Sequence, residues 1–148
     1  MTDLAALYQE VILDHNRYPR HHHKMADATT RAEGVNPVCG DQLMVYLKIH
    51  HHCIEAVSFE GKGCAISQAS ASLMTDMLLG KTETEALQLV HQFKQLVTTG
   101  DAPATQQLDK LTVLAGVKHY PGRVKCATLA WHALEAALKH QPKVCTES

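Results

Sequence analysis

No stretch of the 148 residues approaches the run of about 18 apolar side chains that a membrane-spanning helix needs. Charge of one sign is lacking as well. Fourteen basic and fifteen acidic side chains leave a formal net charge of −1, so no strong field marks the chain as a partner of nucleic acid or of an anionic membrane. The opening MTDLAALYQE has acids and no basic stretch, unlike a secretory signal, and a cytoplasmic protein is expected. No internal repeat and no second-domain boundary is visible, and the length suits one domain over residues 1–148. No Cys-x2-Cys pair exists, so the spacing is not that of a zinc finger. The five cysteines, Cys39, Cys53, Cys64, Cys126 and Cys145, are odd in number and widely spread, which argues against a disulfide framework.

What is present is an ordinary globular composition, 45% hydrophobic and 20% charged. Leu4, Leu7, Tyr8, Val11 and Ile12 recur at helical spacing and predict an amphipathic helix over residues 3–16. Residues 16–30 lack periodicity and read as a loop. Leu43, Val45, Leu47 and Ile49 alternate as in a half-buried strand. After a polar turn at His50–His52, Val57 and Phe59 alternate in a second strand over residues 53–60, which makes a hairpin. Arg31–Val35 is expected to add a third strand.

The period then changes. Ile66, Ala69, Leu73 and Met77 share one helical face between Gly63 and Gly80. Thr82 and Glu85 have capping-box spacing ahead of a helix whose Ala86, Val90, Phe93 and Val97 face the core. TTGDAPATQ reads as a linker-like loop, and Leu108, Leu111 and Leu114 as a short helix stopped by Gly116. Pro121 opens a last helix to about His140, with Trp131, Leu134 and Leu138 inside. Strands first and helices after favour an α+β fold, its antiparallel sheet covered on one face.

Three cysteines share a kind of location. In NPVCGDQ, Pro37 fixes φ and Gly40 opens angles closed to other residues, so Cys39 and Asp41 flank a tight bend. Cys64 lies between Gly63 and Ala65 at a strand-to-helix junction, and Cys126 falls in the first turns of the last helix. Helix N-termini favour the thiolate. Three thiolates with Asp41 would form a four-ligand set of soft sulfur and one carboxylate, suited to zinc, or to iron where sulfide is supplied. Position and composition fit a metal site and a group of small core hydrophobes equally, and an Asp after Gly is often only a turn residue. Arg123 and Lys125 fit either electrostatic support of the thiolates or a solvated helix start. The histidine runs at 21–23 and 50–52 read as solvated loops, because adjacent histidines point in different directions. Cys53 and Cys145 have no motif and read as bystanders, and no histidine is tied to a cysteine as a nucleophile's base would be.

The words around these cysteines add more. NPVCGDQ, FEGKGCAISQASASLMTDMLLGK and HYPGRVKCATLAWHALEAAL closely resemble the U-type iron–sulfur cluster assembly proteins, and the resemblance runs from LYQEVILDHNRYPR to the last helix, roughly residues 4–139. It implies an α+β domain with a three-stranded antiparallel sheet, packed on one face by about four to five helices, and a metal or cluster site at one end. Carried over motif by motif, the implied ligands are Cys39 and Asp41 of NPVCGDQ, Cys64 of GKGCAIS and Cys126 of RVKCATLAW. The IscU-like branch has a histidine directly before the last cysteine and a Leu-Pro-Pro-Val-Lys motif for its chaperone. Lys125 and the stretch VKHYPGRVK stand there instead, and residues 93–122 resemble the insertion of the SufU-like branch.

That branch implies zinc held by the three cysteines and Asp41, and sulfur accepted from a SufS-like cysteine desulfurase for downstream iron–sulfur assembly or apo-proteins. Cys39 is then the expected acceptor, leaving the zinc on docking, taking the sulfane sulfur and passing it on, with Gly40 giving its loop mobility. A scaffold for a [2Fe–2S] cluster would use the same ligands, and a non-catalytic zinc-stabilised interaction module is the third reading.

Overall fold

The computed structural model describes residues 2–37, 40–99, 114 and 121–145. In chain order the elements are α1 (Thr2–Arg17), β1 (Thr30–Asn36), β2 (Asp41–His50), β3 (Cys53–Lys62), α2 (Ala65–Leu78), α3 (Glu83–Thr99), α4 (Pro121–Leu138) and β4 (Lys143–Cys145). The alternation at Leu43, Val45 and Leu47 puts these side chains on the buried face of β2, the second strand in the order β3-β2-β1-β4. β1 and β2 pair antiparallel from Thr30↔Leu47 to Asn36↔Asp41, and β2 and β3 pair antiparallel with an irregularity between Lys48 and Ile49.

The sheet therefore has four strands and is mixed, where three antiparallel ones were expected. After α4 the chain lays Lys143–Cys145 parallel to Glu33–Val35, and the Glu33 amide donates to the Pro142 carbonyl at 2.9 Å. A three-residue strand with Val144 as its apolar residue carries no alternation to read. At the opposite edge, the Phe59 amide donates to the His21 carbonyl at 3.0 Å, so the loop before β1 covers the open side of β3.

One face of the sheet is packed by helices: α4 lies across β1 and β2, α2 lies between α4 and β3, α1 rests on α2, and α3 rests on α4. Trp131 is fully buried, stacks on Phe93 with centroids 4.5 Å apart, and donates its indole N–H to Ser70 Oγ at 3.0 Å. Burying an indole is favourable only when that N–H finds a partner, which is why a serine is tolerated inside α2. The capping box forms as expected: Glu85 N–H donates to Thr82 Oγ1 at 3.1 Å and Thr82 N–H to Glu85 Oε1 at 2.9 Å. Ala86, Val90, Phe93 and Val97 are all buried. In α1, Val11 and Ile12 rest against the core, and the side chains of Leu4, Leu7 and Tyr8 lie outside the described residues.

α3 continues through Thr99, so the first two residues of TTGDAPATQ are helical rather than loop. The Thr98 hydroxyl donates back to the Lys94 carbonyl at 2.8 Å, which satisfies it inside the helix. Of the short helix expected around Leu108 and Leu111, Leu114 is described and buried, and the rest lies outside the described residues. Among the described residues no helix is long and apolar enough to cross a membrane.

Candidate metal centre

The β1–β2 hairpin closes on the pair Asn36↔Asp41. The Gly40 amide donates to the Asn36 carbonyl at 2.9 Å, with Gly40 at φ 75°, a left-handed conformation that favours glycine. β2 thus begins at Asp41, which is buried at the end of the sheet. β3, running antiparallel, returns to the same end at Lys62, opposite Gln42, and the chain turns there into α2. Cys64 is the N-cap of α2: its backbone is extended (φ −70°, ψ 170°) and its sulfur accepts the Ser67 amide at 3.4 Å. The Cys64 amide donates to Asp41 Oδ1 at 3.0 Å, and Oδ2 lies 4.0 Å from the Cys64 sulfur. α4 brings Cys126, fully buried, to the same place.

One carboxylate oxygen and the two sulfurs of Asp41, Cys64 and Cys126 all lie within 4.8 Å of one another. With bonds of about 2.3 Å to sulfur and 2.0–2.2 Å to oxygen, a tetrahedral ion needs its ligand atoms about 3.5–3.8 Å apart. The observed spacing is within a small side-chain adjustment of that value, and a thiolate-rich donor set with one carboxylate suits zinc or iron. Gly63 makes the approach possible, because a Cβ there would sit 2.8 Å from Asp41 Oδ1 and 3.0 Å from Ser67 Oγ.

Arg123 stands one turn before Cys126 on α4, with its guanidinium exposed. The Cys126 sulfur, and next the negative charge of Cys64, raise its already high pKa. Of the two ambiguous cations, Arg123 therefore reaches the sulfurs. Lys125 is turned about 100° away round the helix from Cys126.

The structure brings three of the four expected residues together. The fourth, Cys39, lies outside the described residues, two positions before Asp41 in the chain. Cys53 is exposed at the His50 end of the β2–β3 hairpin, about 30 Å of strand away from Asp41. The side chain of Cys145 lies outside the described residues. The histidine runs do not converge: His21 Nδ1 faces Thr75 Oγ1 at 3.0 Å, His22 stacks edge-on to Phe59, and His52 Nδ1 faces Glu83 Oε1 at 3.1 Å. Sequence reasoning missed Ser67 and the tightness at Gly63. The signal for Ser67 is its place three residues after an N-cap, where its amide meets the capping sulfur.

The description "NifU-like N terminal domain" matches residues 7–127. The iron-sulfur cluster assembly scaffold protein IscU of Streptococcus pyogenes serotype M1 is 42% identical over 139 residues, which cover 94% of this chain and 87% of that protein. The zinc-dependent sulfurtransferase SufU of Bacillus subtilis (strain 168) is 38% identical over 133 residues, which cover 90% of each chain. In a crystal structure, a candidate iron-sulfur cluster assembly scaffold protein for the SUF system of Fervidobacterium islandicum AW-1 superposes with a TM-score of 0.82. It is 38% identical, with 87% of this chain and 94% of that chain covered. With the family description spanning most of its length, the chain belongs to the NifU-like N-terminal domain family.

Proposed function

We propose that the chain takes up sulfur from a cysteine desulfurase at a zinc centre made of Cys39, Asp41, Cys64 and Cys126, as a step in iron–sulfur cluster assembly. The observation that carries the reading is the meeting of Asp41, Cys64 and Cys126 within 4.8 Å at the end of the sheet where NPVCGDQ turns. Zinc, when bound, supplies charge that keeps its sulfur ligands deprotonated near neutral pH. The chain itself contributes the Cys64 amide that holds Asp41 and the Arg123 charge beside Cys126 and Cys64. A reducing, cytoplasmic setting keeps such thiols free.

Cys39 is the acceptor in this proposal. Its thiolate attacks the outer sulfur of the desulfurase's cysteine persulfide. A sulfur–sulfur bond forms at Cys39 as the one in the enzyme breaks, and the enzyme cysteine leaves as thiolate, with no net oxidation. Gly40, already left-handed, gives the bend a pivot beside it. Lys125, standing where the IscU-like branch has histidine, favours transfer, as does the name of the B. subtilis relative, a zinc-dependent sulfurtransferase. The second reading, a scaffold for a [2Fe–2S] cluster passed to apo-proteins, uses the same ligands and is favoured by the name of the S. pyogenes relative.

Metal content and desulfurase turnover test the choice. Sulfur transfer predicts stoichiometric zinc in freshly purified protein, and stimulation of a SufS-like desulfurase by wild type but not by Cys39→Ser. Undiminished stimulation by Cys39→Ser, or a coloured iron–sulfur chromophore in place of zinc, overturns it.

A further inference from the structure

The hydroxyl oxygen of Ser67 is buried and has no hydrogen-bond partner. An orphaned buried hydroxyl gives up its hydration for nothing in return, so a partner is expected in the working protein. Ser67 is the third residue of α2, and its amide already serves the Cys64 sulfur at 3.4 Å. A Cβ built on Gly63 would lie 3.0 Å from Ser67 Oγ and 2.8 Å from Asp41 Oδ1, so both oxygens crowd the same bare face of Gly63. Asp41 Oδ1 accepts the Cys64 amide at 3.0 Å, and a carboxylate oxygen has a second lone pair to offer.

We propose that Ser67 is a positioning residue of the metal centre, its hydroxyl turning to donate directly to Asp41 Oδ1 in the metal-loaded protein. Oδ1 is then held from two sides, by the Cys64 amide and by Ser67, and Oδ2 is left to face the metal. A carboxylate anchored in this way loses little freedom on ligating, and removal of such outer partners typically costs 10–100-fold in metal affinity. The inference rests on the preceding reading, in which Asp41 is a ligand.

Zinc affinity, measured by competition with a chromogenic chelator, tests it in wild type, Ser67→Ala, Asp41→Ala and the double variant. We expect Ser67→Ala to bind zinc about 10-fold more weakly. The same change should have no effect in the Asp41→Ala background. Its metal-free form should melt no lower than wild type, because an unpartnered hydroxyl contributes nothing to that state. Ser67→Thr keeps the hydroxyl and should bind zinc more tightly than Ser67→Ala, a recovery that a merely structural role would not give. Unchanged affinity in Ser67→Ala, with Asp41→Ala weakened, overturns the role of Ser67 and leaves Asp41 a ligand. Equal, independent losses in the double variant overturn action through Asp41. Unchanged affinity in Asp41→Ala overturns the ligand reading and the inference with it.

Discussion

The backbone amide of Cys64 donates a 3.0 Å hydrogen bond to Oδ1 of Asp41. The bond ties the N-cap of α2 to the first residue of β2, two points separated by a whole hairpin, and makes the carboxylate part of the scaffold before any metal arrives. Asp41→Ala leaves that amide without its acceptor in a half-buried position, and the metal-free protein should lose about 1–3 kcal/mol of stability. Asp41→Asn keeps an oxygen acceptor and should recover most of this, while its neutral side chain still binds zinc poorly. Urea denaturation of the metal-free variants checks both. An Asp41→Ala variant as stable as wild type would show that the bond anchors nothing.

Arg123 presents a positive charge to the sulfurs of Cys126 and Cys64. Zinc must displace protons from sulfur to bind, and a nearby cation favours the thiolate. Arg123→Ala should therefore move the pH midpoint of zinc uptake upward, and Arg123→Lys should restore part of the shift. The guanidinium is exposed, so the difference should shrink as salt rises. Chelator competition as a function of pH and ionic strength reads this, and identical pH profiles for wild type and Arg123→Ala would rule the role out.

His132 sits in α4, away from the metal centre. Burial holds its imidazole below the ordinary value of 6.5, and Lys94 pushes the same way against the opposing pull of Glu135. A depressed folded-state pKa means that the unfolded chain takes up the proton first. The contribution to stability is therefore complete above the ordinary value and is lost as pH falls from there through the folded value. Denaturation midpoints measured from pH 7.5 down to about 5 should fall less steeply in His132→Gln than in wild type. Parallel slopes would contradict the assignment.

Most of the architecture is legible from side-chain periodicity because one face of each element is buried. Leu43, Val45 and Leu47 alternate against α4, and Ala86, Val90, Phe93 and Val97 repeat at helical spacing. Thr82 and Glu85 declare a helix start through chemistry local to four residues. β4 escapes, because its three residues are set by where α4 releases the chain and by pairing with β1 rather than by any pattern of their own.

The candidate site divides in the same way. Cys64 and Cys126 are marked by their helix starts, and Asp41 by the bend before it. Their meeting is a tertiary fact that spacing cannot supply, since the three residues arrive on different elements. Of Ser67, the place three residues after Cys64 marks only the amide as a capping donor, and the burial of its unpartnered hydroxyl is a tertiary fact.

The central claim is that sulfur is received on Cys39, beside a metal held by Asp41, Cys64 and Cys126. Peptide mass mapping answers it most directly, after the zinc-loaded protein has been incubated with a cysteine desulfurase and free cysteine and then alkylated without reductant. The account predicts one added sulfur atom on the peptide containing Cys39, and none on those containing Cys53 or Cys145. Added sulfur confined to Cys53 or Cys145, or no added sulfur on a protein that stimulates the desulfurase, would contradict it.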